Sequence, residues 1–178
     1  MKRLFVCIFI PDQLKKKIEK LQEDISKLPM KAKLVEIENL HLTLTFLGDV
    51  EEKEVEIIKQ KMKSLNGLKS FDIKLKGLKV IPSENYIRVL GINADSNGKL
   101  ENIIKALGQK LGGDYYEQNK MTLCRIKYID DKKIVKDFIQ KNKEIIIGYF
   151  RVEKISLVES ILTPKGPIYK ILYNIDLE

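Results

Sequence analysis

Two tetrads hold the residues of this chain best suited to chemistry, His41-Leu42-Thr43-Leu44 and Lys120-Met121-Thr122-Leu123. In each, a titratable side chain and a threonine stand two residues apart, which puts both on one face of an extended strand. An imidazole titrates near neutrality and can give or take a proton at physiological pH. A hydroxyl can donate a hydrogen bond to an anionic oxygen. Lysine is the odd member of the set: at an ordinary pKa near 10.4, only about 4 molecules in 10,000 are neutral at pH 7, so it is a poor base. Bringing it to about 7 takes roughly 4.6 kcal/mol, which a dry pocket with a cationic neighbour can supply and a bound anion opposes. Lys120 therefore reads as a tuned base, as a cation that holds an anion, or as the mark of a lost activity. Taken alone, both tetrads are ordinary strand residues, and His41, the single histidine of the chain, would be a half-buried strand residue without a task.

The elements that must position these residues follow from hydrophobic period. Leu40 to Phe46 alternates strictly, so Leu40, Leu42, Leu44 and Phe46 are expected on the core face and His41, Thr43 and Thr45 on the polar one. Leu4 to Ile10 is wholly apolar and suits a central strand buried on both faces. Pro11 opens a helix carried by Leu14, Ile18, Leu21, Ile25 and Leu28 and stopped by Pro29. Glu51 and Glu52 start a second helix that runs to Asn66-Gly67, and a strand follows over Phe71 to Ile81 with a bulge or bend at Gly77. The order then starts again: strand Ile87 to Ala94, helix Lys99 to Leu111, strand Met121 to Tyr128, helix Asp131 to Asn142 and strand Phe150 to Leu157. A last hairpin uses Ser160 to Ile168 as its connection before Tyr169 to Ile175. Both halves read β-α-β-α-β, so the tetrads look like the products of an internal duplication, with their polar faces and two threonines across a shared cleft.

Composition bounds the alternatives. At 178 residues with 44% hydrophobic and 33% charged residues, the chain fits one soluble globular domain and excludes a disordered one. Its 33 Lys and Arg against 25 Asp and Glu give a formal charge of +8, which attracts polyanions and nucleic acid first among them; a Lys/Glu-rich surface laced with ion pairs is the bland alternative. One histidine and two well-separated cysteines, Cys7 and Cys124, do not make a usual transition-metal site, and buried reduced thiols are expected. Lys2 and Arg3 precede an apolar run too short for a signal or a membrane span, so residence in the cytoplasm is expected.

The segment Leu34 to Gly48, read as Leu-Val-Glu-Ile-Glu-Asn-Leu-His-Leu-Thr-Leu-Thr-Phe-Leu-Gly, resembles the first signature region of the 2H phosphoesterases. It is most similar to their RNA 2',3'-cyclic phosphodiesterase branch, long called 2'-5' RNA ligases. Phe5 to Pro11 resembles the family's opening strand, Ile87-Arg88-Val89 its mid-chain strand, and Glu159 to Tyr169 its closing segment. The resemblance implies an α+β, bilobal, pseudo-twofold fold. Two antiparallel sheets would surround a central cleft with helices outside, formed by a single domain with repeats over about 1–82 and 83–178. Members carry two His-x-Thr-x tetrads, and here the second histidine position is filled by Lys120.

The activity implied is metal-independent and cofactor-free opening of a 2',3'-cyclic phosphate RNA end to a 2'-phosphate, with 2'-5' RNA ligase activity as a related possibility. His41 would be the general acid toward the leaving 3'-oxygen, and Thr43 and Thr122 would donate to the phosphate. Arg125 would contact the phosphate, but strict alternation puts it opposite Thr122 unless the strand bends, bulges or ends there. Arg88 is a second candidate cation. Phe46 and Tyr169 are candidates for base stacking, with Phe46 expected on the core side. The expected partner is RNA with a terminal or cyclic phosphate, tRNA fragments among them, bound by a monomer away from any membrane. Two rivals differ in class: a binding module of the same fold that no longer turns the RNA end over, and an adaptor that uses its basic face for protein or ribosomal contacts.

Overall fold

A computed structural model of the chain describes residues 1–114 and 119–178. Among the described residues, nine strands and four α-helices follow in the order β1 Lys2–Phe9, α1 Asp12–Ser26, β2 Met30–Leu34, β3 His41–Val50, α2 Glu52–Lys63, β4 Phe71–Ser83, β5 Tyr86–Asp95, α3 Lys99–Leu111, β6 Lys120–Ile129, α4 Lys132–Lys141, β7 Ile146–Val152, β8 Lys154–Thr163 and β9 Gly166–Asp176. The expected elements are present, with three differences. Met30–Leu34 is an additional strand. The expected strand Phe150 to Leu157 is two strands broken at Glu153. The last hairpin turns tightly at Pro164-Lys165, and most of the expected Ser160 to Ile168 connection is strand, because Ser160 to Thr163 pair with Tyr169 to Gly166.

All strand pairs are antiparallel. They form two arms, β7-β4-β5-β6 and β3-β1-β8-β9, with β2 added to β6. One residue pair, Leu42 with Met121, links the arms into a single curled sheet. The second residues of the two tetrads thus sit against each other at the seam, and the flanking residues are carried to the cleft above it.

Strand β1 is central, between β3 and β8, with Leu4 to Ile8 buried. Its even residues Leu4, Val6 and Ile8 join the main core, whereas Phe5, Cys7 and Phe9 belong to a second apolar cluster with Val158, Phe46 and Tyr169. The helices cover the main core from outside. α1 buries Leu14, Ile18, Leu21 and Ile25 and packs on β7 and β2, α3 packs on β3, and α2 lies against α3 and β9. The acidic start of α2 forms a capping box between Glu51 and Glu54, and Asp131 caps α4 by accepting from the backbone N–H groups of Lys133 and Ile134.

Gly77 sits at a bulge in β4 with φ of 84°, and a Cβ there would lie 2.6 Å from the Lys143 carbonyl oxygen, so this position tolerates only glycine without rearrangement. Cys7 and Cys124 are buried free thiols, and burial pushes both up, Cys124 to about 11. Among the described residues, no helix is long and apolar enough to cross a membrane.

Candidate active site

Two bulges build the cleft. In β3, Thr43 pairs with Cys7 and Thr45 with Val6, so Leu44 has no partner on β1. In β6, Thr122 pairs with Gly91 and Cys124 with Leu90, so Leu123 has no partner on β5. Each bulge falls on the fourth residue of its tetrad. An extra residue shifts the alternation by one, so the residue five places after the start of the tetrad returns to the cleft face. The first half therefore presents His41, Thr43 and Phe46, and the second presents Lys120, Thr122 and Arg125. All six line one cavity of about 570 Å³, together with Tyr169.

These bulges correct the strict alternation expected for β3. Phe46 turns into the cleft, with the Arg3 guanidinium 5.1 Å from its ring centroid. Thr45, expected beside His41 and Thr43, is buried on the opposite side. For Arg125 the condition set by its position is met, since the bulge at Leu123 brings it beside Thr122.

Backbone partners fix both bulges. Phe46 exchanges two hydrogen bonds of 2.9 Å with Asp114, and its counterpart Arg125 pairs with Lys33 of β2. Gln22, buried on α1, donates to the carbonyl oxygens of Val35 at 2.9 Å and Leu123 at 3.0 Å. The bulge carbonyl at Leu123 also accepts from the Val35 N–H at 2.9 Å.

Hydrogen bonds and aromatic contacts hold His41. Its Nδ1–H donates to the Asn39 carbonyl oxygen at 2.6 Å. In the neutral ring this leaves Nε2 as the acceptor, and the Thr43 hydroxyl donates to it at 3.0 Å. Phe5 and Tyr169 pack against the ring with centroids at 5.2 and 5.3 Å. Asn39 is itself buried, and its side-chain amide donates to the Pro167 carbonyl oxygen at 2.9 Å, tying the β8–β9 hairpin, and with it Tyr169, to the His41 strand. Burial lowers the imidazole pKa, the bond to Asn39 opposes this, and the charges of Lys120 and Arg125 lower it further. The free site thus favours a neutral ring.

Lys120 is half-buried at the start of β6. Burial lowers its pKa, and the neighbouring cations Arg125 and Lys79 lower it further. Gly91 on β5 lets the two strands approach beside it: a Cβ there would lie 2.8 Å from the Met121 carbonyl oxygen, while the Lys120 side chain would stay at an ordinary contact distance of 3.4 Å. The cleft thus sets an imidazole and an amine, each shifted toward its neutral form, beside two hydroxyls and a guanidinium, an arrangement that can hold a phosphate and move a proton at its edge.

Tyr169 lies at the cleft with its phenol pKa raised, chiefly by burial. Arg88 does not join these residues. It is held by Tyr86 and by the Lys127 carbonyl oxygen, and borders a different notch. Asn39, Gln22, Lys33 and Arg3 are site residues that the sequence reading did not single out. Asn39, two residues before His41, had only its proximity to signal it.

The chain is similar in sequence and in fold to known proteins. Residues 8–91 match the model of the family described as LigT like Phosphoesterase. A Methanocaldococcus jannaschii protein named RNA 2',3'-cyclic phosphodiesterase is 41% identical over 176 residues, covering 96% of this chain and 98% of its own. A protein of the same name from Archaeoglobus fulgidus is 31% identical over 175 residues, covering 96% and 97%. The crystal structure of a Thermus thermophilus protein superposes with a TM-score of 0.77 at 25% identity, covering 98% of this chain and 97% of the other. E. coli LigT in its apo form gives 0.78 at 19% identity, covering 99% and 97%, which speaks to the fold. With its two arms, its bulged tetrads and these relatives, the chain belongs to the LigT-like family of 2H phosphoesterases.

Proposed function

We propose that this protein opens 2',3'-cyclic phosphate ends of RNA to 2'-phosphates. The observation that carries the reading is the fixed orientation of the His41 ring. With Nδ1–H committed to Asn39, Nε2 faces the cavity that Lys120, Thr122 and Arg125 line from the other arm. The names of the relatives at 41% and 31% identity support the same substrate class.

In this reading the hydroxyls of Thr43 and Thr122 and the guanidinium of Arg125 hold the non-bridging oxygens. Water attacks phosphorus as the bond to the 3'-oxygen breaks, that oxygen takes the proton of His41 Nε2–H, and the proton lost by water passes to solvent. A neutral imidazole cannot supply this proton. The bound anion offsets the charges of Lys120 and Arg125, two of the causes that lower His41. The same anion favours the charged form of Lys120, which serves as an ammonium stabilising the phosphate rather than as a base. A 5'-hydroxyl in the place of water would give a 2'-5' linkage by the same bond changes.

The test is an oligonucleotide ending in a 2',3'-cyclic phosphate. The wild-type protein should give a 2'-phosphate, and His41→Ala should lose at least a hundredfold in kcat with its fold intact. Equal rates for the two proteins, or a 3'-phosphate product, would overturn the assignment. Adding a 5'-hydroxyl oligonucleotide to the same reaction reads out ligation.

A further inference from the structure

Arg88 marks a second surface. It stands with Lys127, Lys132 and Lys136 around a notch of about 210 Å³, formed by the β4–β5 hairpin tip, the end of β6 and the first turns of α4. Its guanidinium lies 4.6 Å from the Tyr86 ring centroid and donates to the Tyr86 hydroxyl at 2.7 Å and to the Lys127 carbonyl oxygen at 2.9 Å. Neutral partners therefore fix Arg88 without cancelling its charge. Among the described residues, none of the four cations is in an ion pair, and Glu84 is the one acidic residue at the notch.

Two tyrosines stand beside these charges, Tyr128 at 52% exposure and Tyr86 at 55% with Arg88 over one face of its ring. Unpaired cations with exposed ring faces are what single-stranded nucleic acid engages, the cations reaching its phosphates and the rings its bases. An acidic protein segment would use the charges and leave the rings idle. The notch shares no residue with the cleft. The two adjoin along β6, where Arg125 borders the cleft and Lys127, two residues on, borders the notch.

We propose that the notch is a second RNA-binding site, at which Lys132 and Lys136 hold backbone phosphates and Tyr128 stacks on a base of the RNA body whose end enters the cleft. The proposal rests on the RNA-end reading of that cleft. RNA leaving the cleft would follow β6 past Arg125, so affinity would depend on strand length as well as on the terminal phosphate.

The experiment compares three probes: a 20-nucleotide single-stranded RNA ending in a 2',3'-cyclic phosphate, the same RNA ending in a 3'-hydroxyl, and a mononucleoside 2',3'-cyclic phosphate. For the hydroxyl-ended RNA, the double variant Lys132→Gln/Lys136→Gln should weaken binding about tenfold in low salt and flatten the slope of log affinity against log salt by about 1.4. Tyr128→Ala should weaken it about tenfold with the slope unchanged. With the cyclic-ended RNA, both variants should raise KM similarly at constant kcat, and the kinetics on the mononucleotide should not move. Unchanged affinity for the hydroxyl-ended RNA would overturn the proposal, as would an equal loss on the mononucleotide. If the wild-type protein opens neither cyclic phosphate, the reading of the cleft fails, and the hydroxyl-ended RNA still decides on the notch.

Discussion

Leu44 and Leu123 occupy the same place in the two halves of the molecule, each the unpaired strand residue that follows a threonine of the cleft. Both are buried. Because each bulge shifts the pleat by one residue, Phe46 and Arg125 come to the same side as the threonines three residues before them. The two halves thus share a backbone geometry although their side chains differ, histidine against lysine at the first position and phenylalanine against arginine at the sixth.

Gln22 braces the bulge at Leu123. Its amide spans two carbonyl oxygens from the far side of the sheet, one of them the bulge residue's own. Gln22→Ala removes a buried donor from both and should cost about 1–3 kcal/mol of stability in urea unfolding. Because Arg125 owes its direction to that bulge, the same variant should weaken binding of inorganic phosphate. A stability loss with phosphate binding intact would show that the bulge holds without Gln22.

Much of the scaffold was legible because it follows from period. The apolar run of β1, the helical spacing of Leu14, Ile18, Leu21 and Ile25, and the repeated tetrads each state a buried face directly. Phe46 and Thr45 were not legible, since period 2 assumes an unbroken ladder and the break at Leu44 comes from pairing with β1 and Asp114. β2 was missed because Met30-Lys31-Ala32-Lys33-Leu34 is short and only partly buried, its strand character coming from the edge of β6. Asn39 and Gln22 act on carbonyl oxygens distant in sequence or turned by a local bend, and such bonds leave no periodic trace.

Asn39 is a positioning residue with two bonds to separate. Asn39→Ala keeps the carbonyl that receives His41 Nδ1–H but frees the hairpin at Pro167. The Tyr169 ring, packed 5.3 Å from His41, then loses one of its supports and keeps its packing on Phe5. KM for the cyclic-ended oligonucleotide should rise severalfold, with a smaller change in kcat. The imidazole should also titrate at higher pH in NMR, since a looser hairpin admits water and burial is the main cause of its lowered pKa. An unmoved His41 titration would confine Asn39 to a structural role.

The titration of His41 also has a sign in stability. A folded pKa below the unfolded value of about 6.5 means that the unfolded chain binds the extra proton first as pH falls. The stability His41 permits is therefore complete above about pH 6.5 and is lost as pH drops toward the folded pKa. Urea unfolding at pH 7.5 and pH 5 should show a larger loss for the wild-type protein than for His41→Gln. Inorganic phosphate should move the NMR titration upward, because the bound anion offsets Lys120 and Arg125. Identical pH dependence in the two proteins would mean that the imidazole is as well solvated as in the unfolded chain.

Lys120 separates two chemistries by substitution. As an ammonium its work is to place positive charge on the phosphate, and arginine supplies that charge at every accessible pH. As a base it must reach the neutral form, which burial and the neighbouring Arg125 and Lys79 favour in the free site. Lys120→Arg should then retain activity within about tenfold of wild type if the charge is what matters, whereas Lys120→Met, of similar length and uncharged, should lose about a hundredfold or more. Both variants should keep the fold, since Lys120 is half-buried at the end of a strand and makes no ion pair among the described residues. Equal loss in Lys120→Arg and Lys120→Met, with a wild-type rate that climbs with pH, would assign Lys120 the base instead.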